Sequence, residues 1–322
     1  MSVLIPTYRR LDKLRWCLSS LAAQQTSARF EILIGVDGGE GIPTEEDIPP
    51  SLRVRTRVES YAKLGYIAVR HRLLQSARGR VFLSLNDDVH ACRDLIERHA
   101  RSHSHGPRIV AGGAEWKPAE KPNLFDQLVQ QSNLLFFSPP TDRAPTYRDC
   151  YGLNMSAPTQ PTLEAGGFPD VRNAYGYDDA ELAFRLVKSG LPLVLEPQAT
   201  VLHDHRYTPI DVLRREHLLG RSAWEYAGLH PAFARDLFGR DIRDRGELEH
   251  AERYLERERR DALRIQARFL GLAELQPLPP GGDTPRLLAT LADSWTILKR
   301  FLWRQGLLAA SRGEPVAWAP LS

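Results

Sequence analysis

The sequence is short of cysteine. Only Cys17, Cys92 and Cys150 occur in 322 residues. An odd number at wide spacing argues against a disulfide framework, and no C-x-x-C exists to seed a thiolate zinc site. An excess of one charge is missing too: 43 basic residues stand against 40 acidic ones, a formal net charge of +3. A chain so balanced is no polyelectrolyte, and no nucleic-acid partner is expected. Long apolar runs are absent, since no stretch approaches the roughly 20 residues of a membrane span. The opening MSVLIPTYRR ends its apolar burst in proline and two arginines, whereas a secretory signal carries its charge first and a longer apolar run after it. A reducing, cytoplasmic setting is the expectation. Neither G-x-G-x-x-G after a strand nor G-x-x-x-x-G-K-[ST] occurs, which excludes the dinucleotide fingerprint and the P-loop. VDGGEG (36–41) is glycine-rich but carries an acid where a phosphate cradle presents bare amides. No internal repeat is found.

What is present is alternation. SVLIP, FEILIGVD and RVFLSLNDD read as strands, apolar and closed by turn formers. Between them RLDKLRWCLSSLAAQQ sets Leu11, Leu14, Leu18 and Leu21 at helical spacing. YIAVRHRLLQSARG is a second helix with Gly79 as its expected C-cap, and DLIERHARSH a third. This β-α-β-α-β-α order predicts a mostly parallel sheet flanked by helices on both faces, an α/β architecture. Ligands of such sheets collect at the C-terminal strand ends. Thr7 and Tyr8, Asp37, and Asn86-Asp87-Asp88 all stand at such ends. Two acids directly behind a buried strand need a counterpart, whether a basic side chain, a helix N-terminus or a metal ion. Beyond residue 206 the texture becomes helical. We expect a domain over 1–205, with a donor half (1–90) and an acceptor half (91–205). A helical extension (206–274), a Pro/Gly-rich linker (275–285) and an amphipathic helix with a tail (286–322) follow.

Five stretches in order, SVLIPTYRRLDKLRWCLSSLAAQ, FEILIGVDGG, KLGYIAVRHRLLQSARGRVFLSLNDD, GLNMSAPTQPTLEAGGF and YGYDDAELAFRLVKSGLPLVLEPQATVLHDH, resemble the inverting, bacterial-type family 2 glycosyltransferases. They cover roughly the first 205 residues. The resemblance implies a GT-A fold, Rossmann-like, here with a C-terminal helical extension. Asn86-Asp87-Asp88 occupies the place of the family's D-x-D motif, which holds a divalent cation against the donor's diphosphate. Asn86 departs from that pattern, so Asp88 is the expected Mn²⁺ or Mg²⁺ ligand, with Asp87 nearer the ribose. A helix-capping role for the acid pair is the bland alternative.

In AYGYDDAELAFR, Asp178, Asp179, Glu181 and Arg185 match the family's E-D-x-D-L-x-x-R pattern, with Asp178 in place of its Glu and Glu181 in place of its Asp. The second acid is the inverting base, here Asp179, while Asp178 and Glu181 support the helix start. Glu181 and Arg185 read equally as an i,i+4 ion pair. For the donor, the resemblance implicates Pro6, Thr7 and Tyr8, Asp37 as acceptor from a base N–H, Lys63, Gly65, and Arg70 toward ribose or phosphates. A solvated helix arginine is the alternative for Arg70. His203, with His205 beyond Asp204, is expected to complete the metal shell, touch the diphosphate, or serve as structure. Gly166, Gly167 and Phe168 would shape the acceptor side, and Trp116 is a candidate stacking platform for a sugar unless it is core. His99, His103 and His105 lack further zinc ligands and read as an exposed helix end.

The implied reaction moves a sugar from a nucleoside-diphosphate sugar, a UDP-sugar first, to a hydroxyl acceptor in polysaccharide or glycoconjugate synthesis, with lipid-linked acceptors among the candidates. A nucleotidyltransferase or a non-catalytic nucleotide- or carbohydrate-binding subunit are the rival readings. The C-terminal helices are candidates for homodimer contact or, through Trp295, Phe301, Leu302, Trp303, Lys299, Arg300 and Arg304, for peripheral contact with the inner face of a membrane.

Overall fold

The computed structural model describes residues 1–131, 143–171, 175–275 and 283–321. These fall into two compact units. One comprises 1–117, 143–171 and 178–205, the other 118–131, 175–177 and the described residues after 205. Two short stretches before residue 206 thus group with the C-terminal helices. Most of the expected 275–285 linker lies outside the described residues.

The first unit is built on strands β1 (Ser2–Thr7), β2 (Glu31–Asp37), β3 (Thr56–Tyr61), β4 (Val81–Leu85), β5 (Val89–Ala91), β6 (Ile109–Trp116), β7 (Asn154–Pro158) and β8 (Leu193–His203). They form one sheet in the order β3-β2-β1-β4-β7-β6-β8-β5. β1 runs parallel to β2 and β4, and β2 to β3. The far side is mixed: β7 is antiparallel to β4 and β6, β8 is parallel to β6, and β5 is antiparallel to β8. β1 is buried along its whole length because helices cover both faces. Helix α1 (Leu11–Ala22) buries Leu14, Leu18 and Leu21 of the face read from the sequence and adds Cys17, while Leu11 is partly buried against the same core. Helices α2 (Tyr66–Ser76), α3 (Leu95–His103), α5 (Thr159–Glu164) and α6 (Asp178–Lys188) complete this unit.

Gly79 does not cap α2. The cap is Ala77, and Gly79 is needed where the chain passes the first strand, because a Cβ there would lie 2.7 Å from the Met1 carbonyl carbon and the Ser2 nitrogen. All three cysteines are free.

The second unit holds helix α4 (Leu124–Gln131) with α7 (Pro209–Leu229), α8 (Pro231–Phe238), α9 (Arg245–Ala273) and α10 (Asp283–Ser311). Thr208 caps α7 by accepting from the Asp211 amide at 3.1 Å, and Asp211 returns the bond, a full capping box. The charged α9 buries Ala262, Gln266, Phe269 and Ala273, a 4-3-4 spacing that keeps one stripe inward. α7 and α10 meet backbone to backbone: a Cβ on Gly220 would fall 1.9 Å from the Trp303 carbonyl oxygen, and one on Gly306 1.9 Å from that of His217. The apolar side chains considered for a membrane surface are used inside this unit. Trp295, Phe301 and Leu302 are buried, Trp295 stacks on Phe269 at 6.1 Å, and Trp303 donates to the Tyr177 hydroxyl at 3.1 Å. Among the described residues no helix is long and apolar enough to cross a membrane.

Candidate active site

The C-terminal ends of β2, β1 and β4 are neighbours, so Asp37, Thr7 and the Asn86-Asp87-Asp88 turn meet along one rim of the sheet. The Thr7 hydroxyl donates to Asp87 Oδ2 at 2.7 Å. Two residues on, Arg9 adopts a left-handed φ of 52°, uncommon outside glycine, and Arg10 becomes the N-cap of α1. Arg10 reaches back to both acids, with Nη2 2.5 Å from Asp87 Oδ1 and Nη1 2.7 Å from Asp88 Oδ2. Two imidazoles approach from the end of β8. His203 Nε2 lies 3.3 Å from Asp88 Oδ1, and His205 Nδ1 3.6 Å from Oδ2. Pairing of β5 with β8 brings them there, setting Val89 opposite His203, while the Asp204 amide donates to the Asp88 carbonyl at 2.8 Å. The Asp204 side chain turns to Lys13 and Lys117, at 2.6 and 3.0 Å.

Burial opposes the charge on both acids, and their neighbours set them apart. It pushes Asp87 up to about 6, with Arg10 and Thr7 only partly offsetting it. Burial also opposes the charge on Asp88, but hydrogen bonds from His203 and His205 and the Arg10 charge outweigh it and hold this carboxyl far below the usual carboxylate range. Ligand atoms of Asp88, His203 and His205 lie within 4.8 Å of one another, and Asp88 Oδ1 is buried without a well-aligned hydrogen bond. One carboxylate with an under-satisfied oxygen, flanked by an imidazole at each of its oxygens, fits a divalent cation.

A second acidic centre forms at the start of α6. Asp178 is buried, and Asp179 keeps 24% of its side chain exposed. Arg70, on the inner face of α2, is buried beneath them. Its Nη1 lies 3.3 Å from Asp178 Oδ2 and 3.1 Å from Asp179 Oδ1, and its Nη2 donates to Asn86 Oδ1 at 2.5 Å. Arg70 is thus not a solvated helix arginine but a brace joining Asn86 to the acidic helix. The Tyr66 hydroxyl donates to Asp178 Oδ1 at 2.7 Å. Burial, reinforced by the neighbouring Asp179, raises Asp178 to about 7. Gly152 admits this close packing, because a Cβ there would sit 2.2 Å from Asp179 Oδ1 and 2.5 Å from Arg70 Nη1.

The remaining expected residues are divided. Asp37 is buried and accepts from the Lys63 ammonium and the Leu64 amide, both at 2.6 Å, and from the Gly65 amide at 3.2 Å. Lys63 also stands 3.2 Å over the Tyr8 ring, which is 38% exposed at the rim. Pro6 is buried within β1. Trp116 is half-buried and packs its ring 4.8 Å from that of His203, because a register slip at Gly112/Gly113 sets the two opposite each other. Glu181 and Arg185 form the i,i+4 pair at 2.6 Å, and Arg185 Nη2 donates to the Gly167 carbonyl at 2.6 Å, so this pair pins the 165–168 turn. His99 is not at an exposed helix end. It is fully buried, hydrogen-bonded to Ser156 and Asn154 at 2.8 and 2.9 Å, and burial lowers it to about 4. Only His105 of that cluster is exposed.

Arg10, Tyr66 and Gly152 are the contributors that sequence patterns miss. For Arg10 the one available signal is a basic pair two residues past a strand end facing an acid pair on the neighbouring strand.

Comparison with known proteins agrees with this geometry. Residues 2–154 match the family model for glycosyl transferase family 2. An uncharacterized glycosyltransferase of Bacillus subtilis, YfnE, is 28% identical over 122 residues, covering 36% of this chain and 30% of that protein. Validoxylamine A glucosyltransferase of Streptomyces hygroscopicus is 25% identical over 236 residues, 62% of this chain and 54% of that one. The chain thus spans from 30% to 54% of the length of these relatives. Among solved structures, the mannosyltransferase PcManGT of Pyrobaculum calidifontis, in complex with GDP-Man and Mn²⁺, superposes with a TM-score of 0.58 at 15% identity, over 98% of this chain and 87% of that one. That likeness establishes the fold. Just under half of the chain, residues 2–154, is thus similar to glycosyl transferase family 2, and the architecture is GT-A.

Proposed function

We propose that the protein is a metal-assisted, inverting glycosyltransferase that moves a sugar from a nucleoside-diphosphate sugar, a UDP-sugar first among donors, to a hydroxyl acceptor in polysaccharide or glycoconjugate assembly. The observation that carries this reading is the pairing of a cation-competent cluster, Asp88 with His203 and His205, with a partly exposed carboxylate, Asp179, tied to the neighbouring Asn86 through Arg70.

Displacement at an anomeric carbon needs charge compensation on the leaving diphosphate and a base for the incoming hydroxyl. A divalent cation bound at Asp88, His203 and His205 would supply the first as Lewis acid and template. Two imidazoles beside one carboxylate favour a first-row transition cation such as Mn²⁺ over Mg²⁺, which takes oxygen ligands. For the second, Asp179 takes the acceptor proton on its carboxylate. Asp178, raised to about 7, keeps its own proton over much of the acidic range and so limits charge repulsion within the pair. Arg70 and Tyr66 hold both groups in place. On the donor side, Asp37 accepts from Lys63, Leu64 and Gly65. The Gly65 amide is shared between both carboxylate oxygens, at 3.3 and 3.2 Å, so these donors already occupy the roughly four lone-pair sites and a base N–H would take the place of one of them. Tyr8 at the rim offers a ring face, and three free thiols suit a reducing compartment such as the cytoplasm.

The test is thermal stabilisation by UDP, TDP and GDP, each with and without Mn²⁺. A nucleotide at about 100 times its Kd should stabilise the folded chain by about 2.7 kcal/mol. We expect one nucleotide to do so only with Mn²⁺, and the effect to vanish in Asp88→Asn. No stabilisation by any of the three would overturn the donor and metal assignments.

A further inference from the structure

We infer that Arg10 is an exchangeable counter-ion. It stands in for the cation on Asp87 and Asp88 while the site is metal-free, then transfers to the donor's diphosphate when a cation arrives, which makes metal and nucleotide binding mutually reinforcing. The inference rests on the metal and donor reading above and adds a residue and an order of events to it.

Three observations converge. Arg10 Nη1 sits 2.7 Å from Asp88 Oδ2, and His205 Nδ1 approaches that same oxygen at 3.6 Å. Guanidinium and divalent cation would therefore contend for one carboxylate, since a cation ligated by Asp88 lies about 2 Å from its oxygen and like charges at such range repel strongly. Next, the Arg10 side chain is 42% exposed while Asp87 and Asp88 are buried at 0% and 3%. The guanidinium closes the site from the solvent side and has somewhere to go. Finally, Arg10 is presented by an unusual backbone, with Arg9 at φ 52° and Arg10 as a helix N-cap whose side chain makes no capping bond. A left-handed non-glycine residue at a strand end persists where surrounding structure enforces it, and such residues cluster at functional sites.

The charges decide the direction of exchange. With Arg10 in place, the two acids face one positive charge. A dication supplies two and leaves the guanidinium surplus, beside a site that takes a diphosphate. Arginine is suited to that second role, because its planar fork meets phosphate oxygens two at a time. Metal binding without nucleotide then has to displace Arg10 with no compensation, and nucleotide without metal finds Arg10 engaged. Each ligand lowers the cost of the other, so the coupling is reciprocal.

The experiment is calorimetric titration of Mn²⁺ alone, and of UDP or GDP with and without Mn²⁺, into the full chain and into Arg10→Gln and Arg10→Lys. For Arg10→Gln we expect Mn²⁺ alone to bind about tenfold tighter and nucleotide in the presence of Mn²⁺ about tenfold weaker, within the usual range of coupling between sites. These opposite changes are the signature. Arg10→Lys keeps the charge without the fork, so it should restore the native Mn²⁺ affinity and recover nucleotide binding only in part. Melting curves in the absence of ligand report whether each variant folds, and in the native chain the Mn²⁺ affinity must itself tighten when nucleotide is present. Mn²⁺ affinity unchanged in Arg10→Gln, or both affinities falling together, overturns the exchange while leaving the metal site standing. Absence of Mn²⁺ binding in native and variant chains alike removes the metal reading and this one with it.

Discussion

Two consecutive aspartate pairs lie in the first unit, each bound by one arginine, and they differ in which partner faces solvent. Asp87 and Asp88 are held by Arg10, whose side chain is 42% exposed; Asp178 and Asp179 are held by Arg70, whose side chain is 4% exposed. In the first pair the acids are buried and the arginine faces solvent. In the second the arginine is buried and Asp179 faces out, at 24%. A cation can replace an arginine that solvent can receive, whereas a buried arginine has no exit and can only brace. The same residue types at the same separation therefore build an exchangeable site at a strand end and a fixed one at a helix start.

The comparison can be broken in three ways. The largest effect is expected from Asp179→Asn, which removes the outward carboxylate and leaves the brace. Transfer measured from a radiolabelled donor should fall by a factor of about 100 to 10,000, with nucleotide and Mn²⁺ affinities within twofold of native. A variant that keeps full activity rules Asp179 out as the base. Next comes Arg70→Met, which strands two carboxyls and Asn86 in a buried site. Breaking a buried ion pair by deleting one partner costs about 3 to 5 kcal/mol, read from urea unfolding, whereas Arg10→Gln, which removes a guanidinium already 42% exposed, should lose less. Equal losses in the two variants would erase the distinction between brace and exchangeable partner.

The smallest effect is a pH slope. Asp178 is raised from 3.8 to about 7 in the folded chain, so between those values the folded state binds more protons than the unfolded one. Folding stability is lost as pH rises through this window, by at most about 1.4 kcal/mol per pH unit for one group. Asp178→Asn removes the titration. Its stability relative to native should therefore climb from pH 4 to pH 7, and a flat difference would show that Asp178 is not the proton holder. His99 contributes the opposite slope from about 4 to 6.5, but it is common to both chains and cancels in the comparison.

How much of this is legible in the sequence follows from which interactions are local. SVLIP, EILIGVD and VFLSL are apolar runs closed by turn formers, and they appear as β1, β2 and β4 because nothing in the tertiary structure opposes the pattern. Asp37, Thr7 and Asp88 gather on one rim because a parallel sheet aligns its strand ends. Less legible is β3, TRVESY, a half-buried edge strand with Val58 as its one aliphatic residue among polar ones. Helix α2 carries two arginines, Arg70 and Arg72, and one-dimensional spacing cannot say which is inside; Asn86 and the α6 acids decide that, from 16 and more than 100 residues away. Arg10 depends on the turn at Arg9, which no apolar pattern announces. The histidines of α3 look like surface because polar neighbours surround them, yet Ser156 and Asn154 on β7 offer His99 buried partners.

The crossing of α7 and α10 has a consequence for descent and for engineering. Two peptide backbones lie in contact at Gly220 and Gly306, so the least replaceable positions of the C-terminal third are two residues without side chains. The charged stripe of α9 can drift, as solvated faces do, while HLLGRSA and RQGLLAA must change together or not at all. Kinship in this region is to be sought in that spaced pair of glycines, and any fusion or graft that keeps the helices must keep both.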